Sequence, residues 1–412
     1  MARYRPRLID PVIDDVVKEL PALLIVGPRA TGKTTTALRH AKTVVRLDRP
    51  AEAVAFKADP DAALRGLPEP VLLDEWQVVP EVLGAVKRSV DSDPRPGRFL
   101  LTGSVRADLD EATWPGTGRV VRVAMQGMTV AEQLDDSDSR PFFDRASGSP
   151  TDLLTPARDT PDLRGYIDLA LRSGFPEAAF ATSDAARELW IESYIDQLLT
   201  RDAQQLDGGR DPALLRRYFE AYALNSAGIV DDRTLYDAAG INSRTAHAYE
   251  QLLFNLRVAE AVPSWTSNRL KRLVLAPKRY LVDPALIAGA LRLDADAVVR
   301  DGNLLGRVLD TFVAAQLRAE LPVGRPRPRL YHLRDGQGRH EVDLLGELGG
   351  QQVVAVEVKA DAAPGPEAAK HLRWLRDRLG DRFVAGVVLH TGPRTFLFDD
   401  QIVAAPISTL WA

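Results

Sequence analysis

Gly27-Pro28-Arg29-Ala30-Thr31-Gly32-Lys33-Thr34, followed by Thr35, fits the spacing G-x-x-x-x-G-K-[ST]. The chemistry of that spacing is phosphate binding. Glycines let successive backbone N–H groups wrap phosphate oxygens, and a helix starting there points its positive end at them. Lys33 would reach the terminal phosphates, and the Thr34 hydroxyl would ligate Mg²⁺. Farther along stand Asp74-Glu75, where one acid can join the Mg²⁺ shell and the next can orient and deprotonate a water. A second set lies near the C-terminus: Asp343, Glu357 and Lys359. Two carboxylates can hold a metal against a scissile phosphate while a lysine positions or activates water and balances charge.

Each set needs elements to position it. Ala22 to Val26 is a continuous apolar run, as a strand covered on both faces of a parallel sheet requires, and it leads straight into the glycine loop and a helical stretch from Thr35 to His40. Val71-Leu72-Leu73 precedes the acid pair, and Arg98 to Leu101 precedes Thr102-Gly103-Ser104. All three runs put their polar residues at strand C-termini, where open α/β sheets bind ligands. Near the C-terminus Val353 to Lys359 alternates, so that Glu357 and Lys359 share a face. Glu341 and Asp343 share a face of the preceding strand, and the break from Gly346 to Gly350 predicts a hairpin that brings Asp343 to Glu357. The same alternation also serves an ordinary cross-strand charge pair, worth a few tenths to about 1 kcal/mol.

The bulk properties narrow the chemistry. At 412 residues the chain is long enough for two to four domains. It has no cysteine, which excludes thiol nucleophiles and cysteine-held zinc, so a metal would be held by oxygen: Mg²⁺, with Mn²⁺ as an alternative at the C-terminal set. A net charge of −4 argues against a uniformly basic nucleic-acid coat and leaves local clusters such as Lys271, Arg272, Lys278 and Arg279. No apolar run reaches the roughly 20 residues of a membrane span, and no secretory leader pattern follows Met1, so a cytoplasmic location is expected.

Between the two sets, residues 135–162 are rich in Asp, Ser, Pro and Gly and predict a surface loop or linker. Ile191, Tyr194, Ile195 and Leu198 fall at helical spacing. Thr234 to Tyr249 predicts two helices around a Gly240-Ile241 turn, with a serine cap at Ser243 and with Arg244, Thr245, His247 and Tyr249 exposed on the second. If that pair reads DNA, Ser243, Arg244, Thr245 and His247 enter the major groove. Lys271 and Arg272, in a following wing, would meet phosphates; plain helix packing is the alternative.

The order GPRATGKTT, VLLDEWQ, FLLTGS and Gly118-Arg119 resembles AAA+-type bacterial and archaeal ATPases that carry a DUF4143 C-terminal region. The resemblance spans nearly the whole chain. It implies ATP as ligand, with Gly27 to Thr35 as Walker A, Asp74 and Glu75 as Walker B, and Thr102 or Ser104 as a sensor touching the γ-phosphate or the water. Arg119 would be a catalytic arginine or a structural salt bridge, and an arginine supplied by a neighbour would require a homo-oligomer. Gly174 and Pro176 look like the G-x-P element of a lid over the nucleotide base, a plain Gly-x-Pro turn closing a helix being the alternative. Asp343…Glu357-x-Lys359 fits the D…(D/E)-x-K arrangement of the restriction-endonuclease-like fold. Asp310 stands where the family usually has Glu, as a further metal ligand.

The expected fold class is therefore α/β: a P-loop NTPase parallel sheet (1–134), a linker (135–162), a helical lid (163–212), a winged helix-turn-helix module (213–298) and a restriction-endonuclease-like domain (299–412). The expected function is an Mg²⁺-dependent ATPase acting on or near DNA. Its C-terminal domain either cleaves DNA or, as part of an ATP-driven switch, only grips DNA or a protein.

Overall fold

The computed structural model describes residues 4–104, 117–136, 140–148, 150–154, 159–203, 211–268, 272, 275–335 and 338–412. Lys271 lies outside the described residues. The chain forms two compact units, Met1–Gln126 with Leu253–Arg257, and Gly127–Leu252 with Val258–Ala412.

In the first unit five strands, β1 (Ala22–Val26), β2 (Thr43–Arg46), β3 (Val71–Asp74), β4 (Phe99–Gly103) and β5 (Val121–Ala124), make a parallel sheet in the order β2-β3-β4-β1-β5. β1, β3 and β4 are buried along their whole length, which explains why they read as unbroken apolar runs. Leu24, Leu73, Leu101, Val86 and Phe99 share one core, and each such side chain contributes about 1.5–3 kcal/mol by leaving water. Because β1 lies between β4 and β5, the loop after β1 and the ends of β3 and β4 emerge on one rim.

In the second unit a six-stranded mixed sheet runs β12-β13-β11-β10-β9-β8. Its strands are β8 (Arg329–Arg334), β9 (Glu341–Glu347), β10 (Val353–Val358), β11 (Phe383–His390), β12 (Phe396–Asp399) and β13 (Ile402–Pro406). β9 pairs antiparallel with β10, as the hairpin reading expects, with Val353 opposite Glu347 and Val356 opposite Leu344. β10 pairs parallel with β11. The turn is shorter than the expected break: Gly346 is a strand residue, and a Cβ there would sit 2.3 Å from the Phe143 ring. That contact corrects the linker reading as well. Phe142–Gly148 is a helix, Phe142 and Phe143 are fully buried, and the Phe142 N–H donates to Glu320 at 2.7 Å. Two adjacent aromatics anchor a stretch whose average composition is that of a loop.

Other helices include Asp184–Gln197, which buries Ile191 and Ile195, and the pair Asp232–Ala239 and Ser243–Asn255, the last of which ends in the segment counted with the first unit. Gly240, at φ 67°, ends the first of that pair in the left-handed region. Asn242 rather than Ser243 caps the second, accepting from the Thr245 N–H at 2.9 Å. Tyr249, expected at the surface, is buried against Tyr218. A short antiparallel ladder follows, β6 (Ala259–Val262) with β7 (Lys278–Leu281). The long helix Gly302–Glu320 is capped by Asp301, which accepts from the Asn303 and Leu304 N–H groups. It carries Leu305, Leu309, Phe312 and Leu317 inward, and Asp310 with them.

Candidate functional site

On the rim of the first unit, Ala30 (φ 59°) and Gly32 (φ 89°) give the loop after β1 its two left-handed turns, and the helix Lys33–Ala37 begins at its end. Gly27 is required by packing: a Cβ there would stand 2.0 Å from the Met125 carbonyl oxygen. Lys33 is buried and folds back to donate to the Pro28 carbonyl at 2.6 Å, and the Thr31 hydroxyl donates to that same oxygen at 3.0 Å. Burial pulls the Lys33 pKa down to about 8, with Glu75 opposing the shift and Arg257 and Arg29 adding to it. Arg257 belongs to this unit.

The two neighbouring strand ends meet the loop. The Thr34 hydroxyl donates to Asp74 Oδ1 at 2.7 Å, and Thr102 donates to the same oxygen. Glu75 adopts φ 55°, ψ 50°, a conformation that costs a non-glycine residue of order 1–3 kcal/mol and clusters at active sites. Its carboxylate accepts from the Ser104 hydroxyl at 3.3 Å and from the Gln77 side chain. Lys33, Thr34, Asp74, Glu75, Thr102 and Ser104 are thus brought together as expected. A hydroxyl and a carboxylate, both oxygen donors, fit Mg²⁺ at Thr34 and Asp74.

Arg119 takes the structural alternative: its side chain, about half exposed, pairs with Asp91 at 2.7 Å. Arg7, not singled out by its place in a basic N-terminus, is buried and donates to the carbonyls of Thr31 (2.7 Å) and Gln126 (2.8 Å), pinning the phosphate loop. In the second unit Gly174 donates to Asp283 at 2.7 Å and accepts from Met128 at 2.6 Å, while Pro176 opens the helix Pro176–Ala179. The G-x-P element is therefore part of that unit's own hydrogen-bonded framework.

The C-terminal acids also converge, around a residue assigned elsewhere by sequence. Asp310 Oδ2 and Asp343 Oδ1 both accept from the Lys278 ammonium, at 2.5 and 3.1 Å. Asp310 Oδ1 accepts from the Tyr280 hydroxyl at 2.9 Å, and Asp343 Oδ2 from the Val358 N–H at 3.0 Å. Glu357 accepts from Lys359 at 2.9 Å through Oε2, while its buried Oε1 has no partner among the described residues. Burial raises the Asp310 pKa to about 6 and, with Asp343 nearby, carries Glu357 well above the usual carboxylate range. Burial opposes the charge on Lys278, but Asp310 and Asp343 outweigh it and lift its pKa well above normal. Each oxygen of Asp310 and Asp343 accepts a protein hydrogen bond, and one oxygen of each is held by the Lys278 ammonium. Among the described residues no cluster of three His, Asp or Glu side chains is placed to hold a metal. A groove of about 440 Å³, lined by Arg307, Asp310, Asp343 and Lys359, lies beside them.

Of the expected DNA contacts, Ser243, Arg244 and His247 are exposed and Thr245 is half-buried. Arg272 is corrected: its guanidinium makes two bonds to Glu347, at 2.9 and 2.8 Å, and lies over the Trp265 and Tyr331 rings. Lys278 and Arg279, expected near the wing, are buried strand residues, with Arg279 paired to Glu250 and Asp232.

Three protein families match the chain: "AAA domain" over residues 19–134, "Domain of unknown function (DUF8612)" over 163–297 and "Domain of unknown function (DUF4143)" over 305–410. Two relatives, uncharacterized protein Rv2008c of Mycobacterium tuberculosis and uncharacterized protein Mb2031c of Mycobacterium bovis, are each 29% identical over 392 residues, covering 94% of this chain and 80% of theirs. Among solved structures, the Walker-type ATPase PABY2304 of Pyrococcus abyssi is similar at 12% identity and a TM-score of 0.40, over 71% of this chain and 99% of that one. Among the described residues no helix is long and apolar enough to cross a membrane. The phosphate loop and the acid pair fall within the stretch that the AAA domain matches, residues 19–134, and Asp310, Asp343, Glu357 and Lys359 fall within the stretch that DUF4143 matches, residues 305–410.

Proposed function

We propose that the chain hydrolyses ATP with Mg²⁺ and uses the cycle as a switch, its C-terminal sheet gripping DNA or a protein partner rather than cutting. The observation that carries this reading is the convergence of Thr34 and Thr102 on one oxygen of Asp74, beside a left-handed Glu75. In it Thr34 and Asp74 would hold Mg²⁺, which would supply positive charge against the developing charge on the phosphates. Lys33 leaves the Pro28 carbonyl for the terminal phosphates. Glu75, steadied by Ser104 and Gln77, accepts a proton from the attacking water. Exposed Ser243, Arg244 and His247 on a capped helix support a DNA contact there.

The test is phosphate release from ATP by the full chain, with supercoiled and single-stranded DNA present. Hydrolysis that Lys33→Ala abolishes, with all DNA left intact, is expected. Turnover untouched by Lys33→Ala would remove the ATPase reading, and Mg²⁺-dependent nicking lost in Glu357→Ala would remove the gripping one.

A further inference from the structure

We infer that the Lys278 ammonium is the resident cation of the C-terminal acid site, standing where a divalent metal would sit and keeping one out. The inference deepens the proposal above that this region grips rather than cuts, and rests on it for the reason a nuclease-like acid set would persist without metal.

The site is assembled around the lysine. Lys278 is 1% exposed and reaches Asp310 of the helix Gly302–Glu320 and Asp343 of β9 from a third element, β7. Its ammonium also lies 3.4 Å from the Asp343 carbonyl oxygen, so three oxygens surround it. The acids' other oxygens are taken as well, by the Tyr280 hydroxyl and the Val358 N–H. A divalent ion at contact distance would be repelled by the fixed ammonium, which already holds one oxygen of each aspartate; among the described residues the unpartnered carboxyl oxygen of this set is Glu357 Oε1. Three carboxyl groups against Lys278 and Lys359 also leave formally one negative charge, too few to favour a doubly charged ion.

Binding of Mn²⁺ to the nucleotide-free full chain, followed by electron paramagnetic resonance, decides the matter in an Asp74→Ala background that removes the phosphate-loop metal site. The Lys278-intact protein is expected to hold no Mn²⁺ that Asp343→Asn releases. Adding Lys278→Met is expected to create one site, about tenfold tighter or more, that Asp343→Asn abolishes. Should the Met variant fail to show a native melting transition, Lys278→Gln takes its place with the same expectation. An Asp343-dependent Mn²⁺ site with Lys278 intact, or a folded Lys278 variant that gains none, overturns the inference. DNA cleavage speaks to the gripping reading, whereas this titration speaks to the lysine alone.

Discussion

Thr34 donates its hydroxyl to Asp74 Oδ1 at 2.7 Å, across forty residues of sequence. The bond ties the loop after β1 to the end of β3 and brings together the two side chains proposed to hold Mg²⁺. The Asp74 oxygen that Thr102 also approaches is thereby fixed on two sides.

The buried Lys33, with its pKa near 8, should make nucleotide binding take up protons. Bound phosphates favour the charged ammonium and raise its pKa, so at pH 8 about half a proton is taken up per site. Calorimetry in buffers of different ionisation enthalpy reads this directly. Lys33→Arg, charged at every accessible pH, is expected to lose that uptake; an unchanged uptake would assign it to another group.

Glu320 is buried, and burial carries its pKa up to about 8 against the pull of the Phe142 N–H and Arg145. The folded chain therefore keeps a proton that the unfolded chain releases near the ordinary 4.5, so this group's contribution to stability is lost as pH rises from about 4.5 to 8. Gln can still accept from Phe142 and cannot ionise. The melting temperature of Glu320→Gln minus that of the wild type should climb steadily from pH 5 to 8; a flat difference would show that Glu320 ionises normally in the fold.

Arg272 and Arg244 separate structure from contact. Arg272→Ala strips a forked partner from Glu347 and is expected to cost about 3 kcal/mol of stability. The exposed Arg244 should be replaceable by Ala with a change of roughly 0.5 kcal/mol or less. In DNA binding measured against salt the order reverses: Arg244→Ala lowers affinity and flattens the salt slope, while folded Arg272→Ala does neither.

The residues that meet on the rim of the first sheet were largely legible because each follows a buried strand. A glycine loop must follow a buried strand, and acids must end one, so spacing alone locates Lys33, Thr34, Asp74 and Glu75. Arg7 was not legible, since its partners are carbonyl oxygens of Thr31 and Gln126 and no side-chain pattern marks them. Lys278 was misplaced for a related reason. In a run with Lys271, Arg272 and Arg279 it reads as surface charge, and only the pairing of β7 in space sets it between Asp310 and Asp343. The alternation on β10 did identify Glu357 and Lys359 as neighbours, but not that Glu357 would be buried, at 3% exposure. Phe142 and Phe143 show the same limit in a polar stretch, where two residues decide the packing of a segment that composition assigns to solvent.

The most direct test of the account is phosphate release from Mg·ATP by the wild-type chain and by Glu75→Gln, with nucleotide binding measured in parallel. Gln keeps the shape and hydrogen bonds of the left-handed Glu75 but cannot accept the water's proton. The account predicts undiminished binding with hydrolysis lowered by about 10²-fold or more. Equal hydrolysis by the two proteins would contradict it.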